Sequence, residues 1–432
     1  MKIRWPDEHQ ESLEAAHSRL DVSRQFLRAR GPESILDVLV EVFERWQAAD
    51  SPWRRRLAKS LAAASGLSLE GVFAGLDLGL SDWSGSALRK AIESERAQWR
   101  STPHRQWVPF QSTSLLMAGC IPMPSLLQPA LSLASGSPVL VKTSSRDPVT
   151  APLLRESIQA VDEEIGTALE VVSFPSHDEP CLDRFLASEC IVASGPDSTL
   201  RALAARIKPN TRLVSYGHRL SILVVDSETV THDEVGLAQA IATDVALWDQ
   251  QGCLSPAALY VLGSDAGQTA KAFATTLASE FQRTAERWPP SQPDSAAAAQ
   301  IHNERDVAEL RAGAGEAVTV LTGEGTEWTL IVEPDATWRP CPGHRFLRVY
   351  PVEDGDDLGQ ALTPIAGHLS TVGLSVLENR QASLRSQMAA LGASRICQPG
   401  RMQAPRIDWP HDGQPLLAPL ARLFQSENSP TS

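Results

Sequence analysis

The residues best suited to do chemistry are Trp248-Asp249-Gln250-Gln251-Gly252-Cys253-Leu254-Ser255-Pro256. A glycine directly before a cysteine lets the backbone turn tightly and exposes the sulfur. If a helix starts after Cys253, its N–H groups also stabilise a thiolate, the nucleophilic form. The alternative reading of a single cysteine is a small buried hydrophobe. The other five cysteines lack such surroundings, apart from Cys120 in Ala118-Gly119-Cys120-Ile121-Pro122. Asp249 either orients the cysteine loop or caps a helix. No CxxC pair occurs, which removes the common zinc and thioredoxin-like readings.

Such a thiol needs a framework, and the chain has room for one. Its 432 residues, 42% hydrophobic and 21% charged, describe a globular protein of roughly two to three domains. Collagen-like, disulfide-framework and wholly disordered classes are excluded. A net charge of −13 argues against a nucleic-acid partner and against docking on anionic membranes. Six cysteines spread over this length point to a reducing, cytoplasmic compartment. Residues 1–10 are polar, with no apolar signal-peptide core behind them. Between Arg105 and Lys142 no residue is charged, yet Pro109, Pro122, Pro124, Pro129 and Pro138 break it too often for a membrane-spanning helix. It reads instead as a buried strand, a loop, a helix and another strand within an α/β layer.

Residues 11–100 read as helical, with Ile35, Leu36, Leu39, Val42, Phe43 and Trp46 forming one apolar stripe and Gly31-Pro32 and Ser51-Pro52 as boundaries. Trp46, Trp53, Trp83 and Trp99 read as packing residues. From about residue 107 short apolar runs alternate with amphipathic stretches. Strands are expected at 138–141, 169–174, 190–193, 212–214 and 221–225, with helices at 150–160, 181–187 and 197–207. This alternation is the signature of βαβ units, whose ligands sit beyond the carboxyl ends of the strands. After Asp244 a second α/β segment is expected. It has strands at 259–262, 317–321, 329–332, 347–351 and 373–377, a helix at 267–288, and a surface loop at 289–299. Residues 426–432 read as a frayed end.

These motifs, in this order, resemble the aldehyde dehydrogenase superfamily, and within it the LuxC-type acyl-CoA (long-chain fatty acyl) reductases of bacterial luminescence operons. Residues 248–256 resemble that family's WDQQxCxSP nucleophile motif. Residues 118–122 followed by Val139-Leu-Val-Lys-Thr-Ser-Ser-Arg-Asp-Pro148 resemble the superfamily's NFP and VVLKPS segments. Ser194-Gly195-Pro196-Asp197-Ser198 falls at its glycine-serine turn before a cofactor-binding helix. Tyr216-Gly217-His218-Arg219 falls at its ELGGK segment, and His411-Asp412-Gly413-Gln414-Pro415 resembles a C-terminal HDG segment. The likeness runs over residues 105–424.

The resemblance implies an α/β, aldehyde-dehydrogenase-like fold. Its parts are a helical N-terminal region (1–104), a Rossmann-type cofactor domain (105–243), a catalytic domain (244–400) and a C-terminal segment (401–432) returning to the cofactor domain or an interface. It implies reduction of an acyl-CoA or acyl-carrier thioester to an aldehyde, with Cys253 as the acylated nucleophile; His218 is either a proton donor or base or a satisfied histidine at a turn. Lys142, Ser145, Arg146, Gly195 and Ser198 fall at cofactor-binding positions. Where the superfamily often has an acidic residue on the ribose, this chain has Ser145 followed by Arg146, which favours NADPH unless Arg146 pairs with Asp147. No metal is implied; an acyl-activating synthetase and a homo-oligomer are. Three positions depart from the superfamily: Cys120 replaces an oxyanion-hole asparagine, Ser215 a water-activating glutamate, and His344-Arg345-Phe346 the glutamate segment on the nicotinamide ribose. The rival readings are an oxidative aldehyde dehydrogenase, which Ser215 opposes, and a catalytically reduced docking subunit, which the Cys253 motif opposes.

Overall fold

The computed structural model describes residues 5–100 and 105–426. Of the expected frayed end, residues 427–432 lie outside that range. The chain divides into two compact units. The first holds the described residues of 1–65, 80–218 and 406–432, the second residues 66–79 and 219–405.

In the first unit, β1 (Arg105–Pro109) precedes β2 (Thr113–Leu116), β3 (Val139–Lys142), β4 (Leu169–Val172), β5 (Cys190–Ser194) and β6 (Arg212–Tyr216). The last five form an all-parallel sheet in the order β4-β3-β2-β5-β6. Helices Pro122–Ala134, Thr150–Gln159, Glu179–Phe185 and Asp197–Arg206 lie in its crossovers. A parallel sheet covered on both faces needs apolar side chains on both, so Val139, Leu140 and Val141 are all buried. The N-terminal helix Trp5–Gln47 belongs to this unit too. It brings Leu13, Ala16 and Leu20 into one core with Leu140, Phe185 and Ile191. It breaks at Gly31, whose φ of 78° precedes Pro32, and the six-residue stripe from Ile35 to Trp46 is buried. Trp46 and Trp83 are core residues, Trp46 donating its indole N–H to Ser157 Oγ at 2.9 Å.

In the second unit come β7 (Leu220–Asp226), β8 (Pro256–Leu262), β9 (Thr319–Thr322), β10 (Thr329–Val332), β11 (Phe346–Val352), β12 (Leu369–Ser375) and β13 (Arg395–Cys397). They form one sheet, β13-β12-β7-β8-β11-β10-β9, parallel except for the β9–β10 pair. Side chains alternate between two cores. Leu223, Val225, Leu259 and Val261 pack with Ile241, Phe273 and Leu277, while Ile222, Val224, Tyr260 and Leu262 pack with Leu358, Leu384 and Met388.

Three expectations are corrected here. The division between units falls after His218, not at 243/244, because β7 pairs with β8 and β12 rather than with β6. The N-terminal region is split: residues 66–79, with helix Leu69–Gly79, belong to the second unit, and the other described residues up to 100 belong to the first. The 289–299 stretch is only half loop. Asp294 accepts the Ala297 N–H as an N-cap, and the alanines that follow open helix Ser295–Gly313. The C-terminal segment rejoins the first unit at Arg406, and β14 (Ala421–Gln425) pairs antiparallel with β1. It does so no earlier because Arg395 holds the carbonyls of Arg401, Met402 and Ala404 in the second unit. Among the described residues no helix is long and apolar enough to cross a membrane.

Candidate active site

In the second unit the cysteine loop adopts a backbone that the sequence does not announce. Trp248, Asp249 and Gln250 have φ of 59°, 48° and 58°, three consecutive left-handed residues without a glycine. Each such residue costs on the order of 1–3 kcal/mol and persists only when its surroundings hold it. Those surroundings can be named. The Trp248 ring is buried against Gly75 of helix Leu69–Gly79, where a Cβ would stand 2.3 Å from the ring. Gln250 is a clamp: its amide nitrogen donates to the carbonyls of Pro256 and Phe346, both at 2.7 Å, and its oxygen accepts the Phe346 N–H at 2.7 Å. Asp249 is buried and accepts from Arg345, 2.8 Å from Nε, and from the Ser291 N–H at 2.7 Å.

The partner loop mirrors this strain. Gly343, His344 and Arg345 have φ of 79°, 56° and 59°. Arg345 is itself buried and donates to the Trp288 carbonyl at 2.8 Å. Neither the ion pair nor the Gln250 clamp was visible to sequence reasoning.

The loop ends on Cys253. No helix starts after it: residues 251–255 turn, and β8 begins at Pro256, a position where proline opens a strand without losing a ladder bond. No helix terminus therefore assists this thiol. What fixes the residue is its main chain: Ser221 Oγ donates to the Cys253 carbonyl at 2.6 Å and accepts the Thr371 N–H at 3.2 Å. Two residues on, Ser255 Oγ accepts from Gln403 at 3.0 Å. Of the six cysteines, all among the described residues, Cys253 alone is exposed. Cys120, Cys181 and Cys190 are buried, and burial pushes the thiols of Cys181 and Cys190 up to about 11 and about 12. Burial likewise pushes Cys341 and Cys397 up to about 11.

In the first unit the other sequence candidates gather along one edge. The strands are parallel, so the residues following β2, β3, β5 and β6 all emerge at their carboxyl ends, and strand order reverses between β2 and β5. Open α/β sheets bind ligands at such a switch point. Cys120 follows β2; Lys142, Ser145 and Arg146 follow or end β3; Gly195 and Ser198 follow β5; His218 follows β6. Lys142 is buried, with Nζ 5.0 Å from the centre of the Phe174 ring, and burial lowers its pKa. Ser145 and Arg146 are exposed. Asp147 caps the next helix, accepting from the Thr150 N–H at 3.0 Å and its hydroxyl at 2.7 Å, so its bonds go there rather than to the neighbouring arginine. Burial raises the Asp147 pKa against those bonds. Gly195 has φ 155° and open space where a Cβ would stand, a turn few other residues can make. Ser198 is exposed in the first turn of helix Asp197–Arg206. The His218 ring is exposed, and its main-chain N–H donates to Asp197 Oδ1 at 2.9 Å. Ser215 is on β6, its carbonyl accepting from Gln414. His411 of the HDG segment stacks on Tyr216 with ring centres 4.5 Å apart.

A switch-point sheet and a second α/β unit carrying a cysteine loop define the aldehyde dehydrogenase fold. The chain superposes on a NAD-dependent benzaldehyde dehydrogenase from Corynebacterium glutamicum (TM-score 0.71, 14% identity, 97% of this chain and 89% of that one). It also superposes on a glyceraldehyde-3-phosphate dehydrogenase from Bacillus halodurans C-125 solved with NADP (TM-score 0.66, 12% identity, 96% and 91%). Within that fold the chain belongs to the LuxC acyl-CoA reductase family, whose model matches residues 29–423. A similar protein is the long-chain acyl-protein thioester reductase of Aliivibrio fischeri, 24% identical over 320 residues. The match spans 72% of this chain and 63% of that relative's length.

Proposed function

We propose that this chain reduces an acyl thioester, carried on coenzyme A or on a protein, to an aldehyde with NADPH through an acyl-enzyme on Cys253. The observation that carries this reading is that Cys253 is the exposed cysteine of the six and ends a strained loop held by buried side chains. Its thiolate adds to the thioester carbonyl, the carrier thiolate leaves, and the acyl group stays on sulfur. His218 gives the departing thiol its proton. When bound, a nicotinamide would supply hydride to the acyl carbon on Cys253, leaving a tetrahedral alkoxide whose oxygen re-forms the carbonyl as the next bond breaks. The Cys253–carbon bond then breaks, the electron pair returns to sulfur and the aldehyde leaves. Ser215 has little basicity at neutral pH, so the acyl-enzyme outlasts attack by water.

The first unit suits the cofactor. The open space at Gly195, with Ser198 in the helix turn that follows, accepts a pyrophosphate, and Lys142 holds the adenosine ribose. Ser145 removes a carboxylate from the ribose position and Arg146 adds a cation there, which favours a 2′-phosphate. The name of the Aliivibrio relative makes a long acyl chain on a protein carrier the first substrate to try; an acyl-activating synthetase is our proposed supplier. The test is intact-mass spectrometry after incubation with acyl-CoA. Wild type should gain one acyl mass and Cys253→Ala none, with NADPH binding unchanged. An adduct that persists in the variant would move the nucleophile elsewhere.

A further inference from the structure

Resting on the assignment of Cys253 as nucleophile, we infer that the buried Asp249–Arg345 ion pair is a positioning device that couples the cysteine loop to the 343–346 loop. Three segments distant in sequence converge on it. Asp249 belongs to the cysteine loop, Arg345 to the loop before β11, and both reach the 288–291 segment, Arg345 through the Trp288 carbonyl and Asp249 through the Ser291 N–H. Each partner is about 3% exposed. A buried ion pair is seldom the most stabilising choice for a core, because two charges must leave water. Apolar side chains would fill that space at least as well. The ions supply direction instead: a carboxylate and a guanidinium bond only along fixed lines, so the pair fixes where both left-handed loops lie.

The neighbouring bonds have the same sense. Gln250 pairs with both main-chain groups of Phe346, the residue after Arg345, so two successive residues of one loop grip two successive residues of the other. A shift of 343–346 is therefore transmitted to the residues just ahead of Cys253. Asp249 and Arg345 touch no reacting atom in this account. They hold Cys253 where attack and reduction share one geometry.

The test uses the full-length protein and three variants. Asp249→Glu keeps the charge but moves the carboxylate outward by one methylene; Arg345→Lys keeps the charge and loses the fork; Asp249→Asn with Arg345→Met removes both charges and leaves neither buried alone. Rates are normalised to folded protein, acyl-CoA and NADPH being the probes. A positional role predicts that Asp249→Glu and the double variant lower kcat by about tenfold to a hundredfold while both KM values stay within about threefold. Arg345→Lys, which keeps the charge but cannot reproduce the fork, should show a comparable loss. The pH profile for iodoacetamide alkylation of Cys253, followed by peptide mass, should also shift in Asp249→Glu and the double variant. A purely structural pair would lower the melting temperature and leave the per-folded-molecule kcat and the alkylation profile unchanged, which would overturn the inference. Cys253 alkylation reads the loop directly, so a failure of the nucleophile assignment would show separately, as an acyl adduct surviving Cys253→Ala.

Discussion

Gly75→Ala sets two physical rules against each other. In an exposed helix interior, replacing glycine with alanine gains ~1 kcal/mol of helix propensity. Gly75 is buried, however, and a Cβ there would stand 2.3, 2.6 and 2.8 Å from three atoms of the Trp248 ring. Carbon atoms rest ~3.5–4.0 Å apart, so the ring must retreat by about 1 Å or more. It has little room to do so, being 3% exposed and attached to the first of three left-handed residues. Overpacking of this kind costs ~1–3 kcal/mol, and a contact this short falls towards the upper end. The net expectation is a loss of about 1–2 kcal/mol, or ~2–8 °C in melting temperature for a unit of this size. Scanning calorimetry reads that directly, and acyl-enzyme formation should slow as well, since Trp248 opens the loop that ends at Cys253. A melting temperature at or above wild type would refute the reasoning, because it would mean that the Trp248 ring is free to move aside.

Two further expectations concern charge. Wild type should prefer NADPH to NADH, and Ser145→Glu should narrow or reverse that preference by placing a carboxylate against the 2′-phosphate; steady-state kinetics with both cofactors decide it, and equal or better use of NADH by wild type would sink the argument from Ser145 and Arg146. Asp244, buried while accepting the N–H groups of Gly400 and Met402, has its pKa pushed up to about 7 by burial. The folded chain then holds that proton more tightly than the unfolded chain, whose aspartate titrates near ~3.9. Its contribution to stability is therefore complete below about pH 4 and is lost as pH rises through 7. Urea melts from pH 4 to 8 should show this slope in wild type and a flatter one in Asp244→Asn; parallel profiles would contradict it.

What the sequence revealed about this molecule follows from how local each cause is. The first-unit candidates were legible because strand-end residues announce themselves: apolar runs such as Val139–Lys142 stop where charge and glycine begin, and parallel strands then bring those ends to one edge without further information. Cys253 was legible for a similar reason, since its motif is contiguous. Its setting was not. Arg345 lies 96 residues from Asp249, and neither residue type signals a buried partner at that distance. Left-handed φ at Trp248, Asp249 and Gln250 runs against local preference, so no reading of propensity would place it there. Whether a helix starts after Cys253 could not be read locally, because Pro256 opens a helix or a strand equally well until its neighbours are known; here β7 and β11 flank β8, and they make it a strand. The 289–299 loop failed in the opposite sense, because three prolines outweighed the Asp294 cap and the alanines behind it. In each case the deciding interaction was either absent from the local window or outvoted within it. The candidate residues for chemistry are read from contiguous motifs, whereas a pair such as Asp249 and Arg345 is found only once distant loops meet.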